Sequence, residues 1–186
     1  MIQKDYKALL GFTDQWFSLG ILTEDQLRQH GNTYETSDDK FGEHYRYRAF
    51  CSYLQVHRPL PASIAEALYE LGESDPDPSM GGAMMADIIR LIECPASVSA
   101  KALGSDRMHL VKVAKRQGLL SELRRIPLDA DLFDRCVEDG DSVIQRYLLD
   151  EFGLSPMQLQ TLAERGINRA VRNIASSKSK RRAQSS

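Results

Sequence analysis

The stretch Leu60–Pro61–Ala62–Ser63–Ile64 decides the fold, because its pattern returns further along the chain. It recurs 34 residues later as Cys94–Pro95–Ala96–Ser97–Val98, and again after 34 residues as Leu128–Asp129–Ala130–Asp131–Leu132. A weaker copy, Leu154–Ser155–Pro156–Met157–Gln158–Leu159, follows at a spacing of 26. Proline suits the first turn of a helix, and serine or aspartate suits the position before it. The spacing therefore predicts a series of helical pairs.

Short helices that stop at glycine and start again at a capping residue cannot bury an apolar face alone, so they must stack on neighbours. No segment alternates apolar and polar residues over the length of a strand. We predict an all-α protein: a short α-solenoid of stacked helical pairs over residues 59–177. An N-terminal helical cap over residues 1–58 precedes it, and a disordered basic tail over residues 178–186 follows.

Local signals predict the ends of individual helices. Gly31 is expected to end a short helix and to open a loop over residues 31–38, while Ser79 is expected to cap a later helix. We expect Gly81 and Gly82 to allow close packing or to loosen the first turn of that helix, rather than to cradle a phosphate. The extra segments 73–78 and 119–125 interrupt the repeat, and we expect function there.

The C-terminal part of the chain resembles a known class of repeat. The residues that carry this resemblance are Leu154–Ser155–Pro156, Leu162–Ala163–Glu164 and Asn168–Arg169–Ala170–Val171–Arg172–Asn173–Ile174–Ala175, with echoes at Asp141, Val143 and Arg146. Together with the earlier copies, about residues 60–176 resemble HEAT-like helical repeats and their leucine-rich-variant relatives. The resemblance implies a scaffold that offers a concave surface to a protein, a peptide or a nucleic acid. It is specific for architecture and not for any activity.

Length and composition indicate a globular protein that stays out of membranes. The 186 residues are 42% hydrophobic and 27% charged, and no run of 18 apolar residues occurs. The first residues carry an acid early and lack an apolar run, so we expect no secretory signal. Three widely spaced cysteines favour buried thiols in a reducing, cytoplasmic compartment.

The net charge of −2 conceals an asymmetry. Seven basic residues and no acid follow Glu164, which leaves 17 basic and 26 acidic residues before them, a net charge of −9. Basic segments 101–125 and 165–182 support an alternative function, nucleic-acid binding through counterion release. Solvated outer faces explain the same charges without a ligand. The candidate phosphate contacts are Arg107, Lys112, Lys115, Arg116, Arg165, Arg169 and Arg172.

The densest polar and aromatic stretch of the chain is Glu43–His44–Tyr45–Arg46–Tyr47–Arg48. One interpretation is packed tyrosine rings with charged neighbours in water. The other is a polar binding surface on a helix, and we take its candidate residues to be Glu43, His44, Arg46 and Tyr47.

No catalytic or metal-binding pattern accompanies these surfaces. The four histidines have no second histidine or cysteine at helical spacing, and neither a G-x-S-x-G turn nor a glycine-rich phosphate loop is present. We therefore expect no cofactor and no metal. The leading prediction is a non-enzymatic interaction or scaffold protein that binds a protein or peptide partner on a helical-repeat surface. The oligomeric state is left open.

Overall fold

A computed structural model describes residues 5–184, which form twelve helices and no strand. The all-α prediction is confirmed for this range. The helices are α1 (Tyr6–Leu10), α2 (Asp14–Ser18), α3 (Glu24–Thr36), α4 (Gly42–Val56), α5 (Ala62–Glu73), α6 (Pro78–Ile89), α7 (Ala96–Leu103), α8 (Met108–Arg125), α9 (Ala130–Glu138), α10 (Ser142–Glu151), α11 (Pro156–Arg165) and α12 (Arg169–Gln184).

The chain divides into two compact units, one ending at Leu110 and the other beginning at Val111. This boundary lies in the first turn of α8 and differs from the predicted boundary at residue 58. Helices α1 and α4 belong to the same unit as α5 and α6, and α4 contacts both α1 and α6. Within the described residues, no helix combines the length and the apolar character needed to cross a bilayer.

A buried ion pair ties the N-terminal helices of the first unit to the segment between α5 and α6. Both oxygens of the Asp75 carboxylate accept from Arg46, with nitrogen–oxygen distances of 2.9 Å. Arg46 Nη1 also donates to the carbonyl of Leu10 at 2.6 Å. The predicted linker 73–78 thus contributes a structural carboxylate to the core of the unit. This structural role of Asp75 accounts for the segment 73–78, and no ligand is needed to explain it.

The expected helix end at Gly31 is wrong, because α3 continues to Thr36. The reason is a tertiary contact: a Cβ atom on Gly31 would lie 2.3 Å from Cγ of the Tyr6 ring. Glycine at position 31 therefore leaves space for the Tyr6 ring to pack against α3, and the helix continues past it.

Helices α5 and α6 approach closely where two glycines face each other. A Cβ atom on Gly81 would lie 2.2 Å from the carbonyl oxygen of Gly72, and one on Gly72 would lie 2.9 Å from that of Gly81. This geometry agrees with the close-packing interpretation of Gly81. The expected cap at Ser79 is wrong, since the carboxylate of Asp77 accepts from the Met80 amide at 2.7 Å.

His30 is half-buried among aromatic rings of the first unit. Its ring centroid lies 6.1 Å from that of Phe12 and 5.9 Å from that of Tyr45. Burial, followed by the positive charge of Arg48, lowers the pKa of His30 from its ordinary value of 6.5. The folded protein therefore resists protonation of this ring.

We predict that His30 makes the first unit less stable as the pH falls. Above about pH 6.5 the ring is neutral in both states, whereas below it the unfolded chain binds the proton more readily, which favours unfolding. Denaturant unfolding between pH 7 and pH 5 should show a shallower loss of stability for His30→Gln than for the parent. The matched control is His57→Gln, at an exposed histidine. Parallel slopes for the parent and His30→Gln would contradict the prediction.

The second unit repeats one turn in its two helical hairpins, α9–α10 and α11–α12. A Cβ atom on Gly140 would lie 2.1 Å from the Cys136 carbonyl oxygen, and one on Gly166 would lie 2.5 Å from that of Leu162. These two pairs are related by the 26-residue spacing. The residue that caps the next helix follows each glycine closely: Asp141 follows Gly140, and Asn168 follows Gly166. In both cases the side chain accepts a hydrogen bond from a backbone amide of that helix.

The predicted disorder of the tail 178–186 is wrong as far as the structure describes it, since α12 includes all but the last two of these residues. Two basic side chains of the helix donate to backbone carbonyls, one in α10 and one in the segment between α10 and α11. Lys178 donates to the Leu149 carbonyl, and Arg182 donates to the Leu154 carbonyl. These contacts anchor a segment that has few apolar residues. Residues 185–186 lie outside the described range.

Candidate functional site

Helix α4 separates the four residues proposed for a partner surface into two faces. Glu43 and Tyr47 are partly exposed, and His44 is exposed. Arg46 points the other way and is 4% exposed, because its guanidinium pairs with Asp75. Arg46 is therefore removed from the candidate surface.

The other three residues come together at a cleft between α4 and the start of α6, with a volume of about 410 Å³. We name it the His44 cleft. Its polar lining consists of Glu43, His44, Tyr47, Asp77 and Ser79. Met80 and Ala83 supply apolar lining from α6. The sequence did not predict the residues of α6 in this cleft, because more than thirty positions separate them from those of α4.

The electrostatics of the His44 cleft are acidic. His44 Nδ1 lies 2.9 Å from a carboxylate oxygen of Asp39, and Arg48 also pairs with this carboxylate. Partial burial opposes ionisation of Asp39, but the Phe41 amide, His44 and Arg48 outweigh it and hold the pKa of this carboxyl below its ordinary value. The side chain of Glu43 makes no hydrogen bond or ion pair with the described residues. Its charge is therefore available to a ligand.

The hydroxyl group of Tyr47 is held in place by an acidic side chain of α6. Its hydroxyl donates to Oδ2 of Asp87 at 2.7 Å. Burial, together with the hydrogen bond and the negative charge of Asp87, raises the pKa of Tyr47 well above its ordinary value. The phenol therefore stays protonated at neutral pH, and its ring stacks against that of Phe50 at 6.3 Å.

A second cleft, which the sequence did not reveal, lies at the opposite ends of the same two helices. We name it the Ile92 cleft. Its volume is about 350 Å³. Two guanidinium groups and one carboxylate line it, from Arg58, Arg90 and Glu93. The apolar lining comes from Pro59, Leu60, Leu91 and Ile92. A signal was present, since a basic residue and two apolar residues follow α4 at 58–60 and follow α6 at 90–92.

The side chain of Asp87 contacts one lining residue of each cleft. Asp87 accepts from Tyr47 with one carboxylate oxygen and from Arg90 with the other, both at 2.7 Å. Tyr47 lines the His44 cleft, and Arg90 lines the Ile92 cleft. The first cleft contains the N-terminal residues of α4 and α6, and the second contains residues that follow their C-termini. The helices therefore run side by side in the same direction, with an acidic cleft at one end and an arginine-containing cleft at the other.

Most of the arginines proposed to contact phosphate are engaged within the protein. Arg116 pairs with Asp141, and Arg165 lies 3.4 Å from Glu138. Arg172 donates to the backbone carbonyl of Gly166, the residue that caps the end of α11. The acidic turn between α9 and α10 thus offsets basic charge on two helices of the second unit.

The remaining candidates are divided between the units. Lys112, Lys115 and Arg169 belong to the second unit, are exposed and make no ion pair with the described residues. Arg107 belongs to the first unit, and its Nη1 atom is buried. The candidate phosphate contacts are therefore divided between the two units, and three of the seven are engaged with other groups of the protein.

The three cysteines are free thiols, and burial outweighs the neighbouring groups that favour their ionisation. Burial raises the pKa of Cys136 to about 11, and it also raises the pKa values of Cys51 and Cys94. All three are therefore protonated at neutral pH and are weak nucleophiles. Among residues 5–184, no group of three or more His, Cys, Asp or Glu side chains is arranged to hold a metal ion.

Comparison with family models, with curated proteins and with solved structures finds no match to this chain. We therefore derive a function from the two clefts and their chemistry.

Proposed function

We propose that this protein is a cytoplasmic, non-enzymatic interaction protein that binds a segment of a partner protein or peptide in the His44 cleft. The observation that carries the proposal is the meeting of Glu43, His44 and Tyr47 with the start of α6 around a space of about 410 Å³. A cleft of this size accommodates a few side chains of a bound segment.

The chemistry of the cleft selects a cationic side chain. Glu43 offers a carboxylate without a partner, and the rings of His44 and Tyr47 offer flat surfaces to the aliphatic stem of a lysine or arginine. The first unit as a whole contains 10 basic and 16 acidic residues, a net charge of −6. Its field attracts basic segments and speeds their encounter.

The polar groups of the cleft are arranged to hold a ligand rather than to transfer protons. Tyr47 has a raised pKa and a fixed acceptor in Asp87. His44 is held by the Asp39 carboxylate. Fixed side chains lose little conformational entropy on binding, which favours recognition of a peptide.

The HEAT-like relationship belongs to the same proposal. Helix α5 packs against α6, and α11 packs against α12, as antiparallel pairs in a helical repeat do. The shared turn of the last two hairpins supports a repeat within the second unit. Scaffolds of this kind present partner sites along their helices.

We predict that Glu43→Arg weakens binding of basic peptides at least about tenfold, a change of about 1.4 kcal/mol. The probe is a set of peptides selected on the parent protein from a random library about twelve residues long. Selected peptides should be rich in lysine or arginine, because the cleft is acidic. Fluorescence anisotropy of the synthetic peptides gives the dissociation constants.

The matched control is Asp134→Arg, which makes the same change of charge at an exposed acid of the second unit. It should leave the affinity within about twofold of the parent, because long-range effects of one surface charge are screened by salt. Equal weakening by both variants would show that net charge alone attracts the peptides. Selection of acidic peptides would contradict the proposed cleft chemistry directly.

A further inference from the structure

The Ile92 cleft exposes aliphatic surface that the first unit does not cover. Ile92 is 78% exposed, although the chain before it ends a helix with a fully buried Ile89. Val56, two residues before Arg58, is 77% exposed. Isolated exposed aliphatic residues are ordinary, but here Ile92 shares a cleft of about 350 Å³ with three other apolar residues.

The charged groups of the cleft favour an anionic ligand. Arg58 is exposed and makes no ion pair with the described residues. Arg90 is held by Asp87 on one side and remains 54% exposed. Glu93 is the one carboxylate in the lining, so the lining carries two positive charges and one negative charge. Guanidinium groups form paired hydrogen bonds with carboxylates, and both arginines have donors left for them.

We propose that the Ile92 cleft binds a peptide segment in which a carboxylate side chain lies next to an aliphatic one. The segment belongs to the same partner whose basic residues occupy the His44 cleft. This second statement rests on the proposed function, whereas the first does not. The partner strand or helix is therefore bipolar, with its basic part near the start of α4 and its acidic, aliphatic part beyond the end of α4.

The length of α4 sets the spacing between the two parts. Helix α4 has 15 residues, which at about 1.5 Å per residue is about 22 Å. An extended segment covers this distance in about seven residues at about 3.3 Å each. A helical segment needs about the same number of residues as α4 itself. Asp87 contacts a lining residue of each cleft. Ala83 of the first cleft, Asp87 and Arg90 of the second follow one another along α6 at spacings of four and three residues, so they lie on one side of that helix.

Labelled peptides titrated into the full chain at about 50 mM salt test the acidic, aliphatic half of the proposal. The probe alternates glutamate and leucine. One comparison peptide replaces glutamate by glutamine, and another replaces leucine by serine. We expect the glutamate–leucine peptide to bind at least about tenfold more tightly than either, since charge and aliphatic surface both contribute. Equal affinity for the glutamine peptide would overturn the proposal.

Variants of the cleft locate the binding. Arg58→Ala removes an exposed, unpaired side chain and should weaken binding of the glutamate–leucine peptide at least about fivefold. Ile92→Ser should weaken its binding to a similar extent. The matched control is Arg125→Ala, which removes an exposed arginine of the second unit. An unchanged affinity in both cleft variants, or a loss in the control that equals theirs, would overturn the assignment. Circular dichroism confirms that each variant is folded.

A joined peptide tests the bipolar partner. It links a lysine–leucine block to the glutamate–leucine block through a spacer that spans about 22 Å, and it should bind at least about tenfold more tightly than the acidic block alone. Glu43→Arg should abolish that gain and leave the acidic block unaffected. A joined peptide no tighter than the acidic block would overturn the bipolar partner. Failure of the lysine–leucine block alone would count against the proposed function, while the Arg58 variant still reports on the Ile92 cleft.

Discussion

Replacing Asp75 with alanine is expected to lower the free energy of unfolding of the first unit by about 3–5 kcal/mol. The Asp75 carboxylate is 1% exposed, and the guanidinium of Arg46 that it binds is 5% exposed. Removal of the carboxylate leaves a buried positive charge without compensation. The same carboxylate accepts from the Asp77 amide at 2.8 Å, so the turn before α6 loses a hydrogen bond as well.

Fluorescence of the single tryptophan makes this measurement specific. Trp16 is 1% exposed and belongs to the first unit, so its emission during denaturation follows that unit. The control is Asp25→Ala, which breaks a surface pair with Arg28 and should cost less than about 1 kcal/mol. Similar costs for the two variants would show that the Arg46 pair is not buried as described. Asp75→Asn, which keeps the shape but removes the charge, should fall between the parent and Asp75→Ala.

Helix starts that depend on nearby residues were predictable from the sequence. Ser155 and Gln158 form a reciprocal cap at the start of α11, and the Asp129 side chain accepts from the Leu132 amide at the start of α9. Both devices act within three residues, so the sequence alone contains them. The same locality explains why each copy of the recurring stretch contains the start of an observed helix, at Ala62, Ala96, Ala130 and Pro156.

Features that depend on distant residues were not predictable. The Arg46–Asp75 pair joins positions 29 apart, and the glycine of α3 at position 31 is shaped by a ring of α1. A single glycine signals a helix end and a close contact equally well. Only the packed structure distinguishes the two.

The candidate site was predictable in part for the same reason. Glu43, His44 and Tyr47 form a local cluster on one helix, so the sequence could single them out. Arg46 stood among them, although it lies four residues before the buried Phe50 and so on the apolar side of α4. That helical phase was a signal that it faces the core. The pairing of arginines with acids of other helices left no local signal, so the charge count overstated the basic surface.

Replacing Leu162 with aspartate is the second change for which a large effect is expected, and it tests the packing of the second unit. Leu162 is fully buried in α11 and belongs to the core cluster of the second unit. Truncating a buried leucine costs about 2–5 kcal/mol, and an unpaired carboxylate in its place adds the cost of burying a charge. We therefore expect a loss of about 4 kcal/mol or more, which is enough to unfold many domains of this size.

Hydrogen exchange followed by mass spectrometry shows where Leu162→Asp acts. Peptides from α9 to α12 should lose protection, because Leu162 shares one apolar cluster with Cys136, Ile144 and Val171 from the neighbouring helices. The matched control is Met157→Asp. It introduces the same residue on the same helix, but at a position where the native side chain is 77% exposed. It should preserve protection, since its carboxylate stays in water near the start of α11, where negative charge is favourable. Full protection in both variants would mean that Leu162 does not face the core, and the alignment of the last two hairpins would then lose its physical basis.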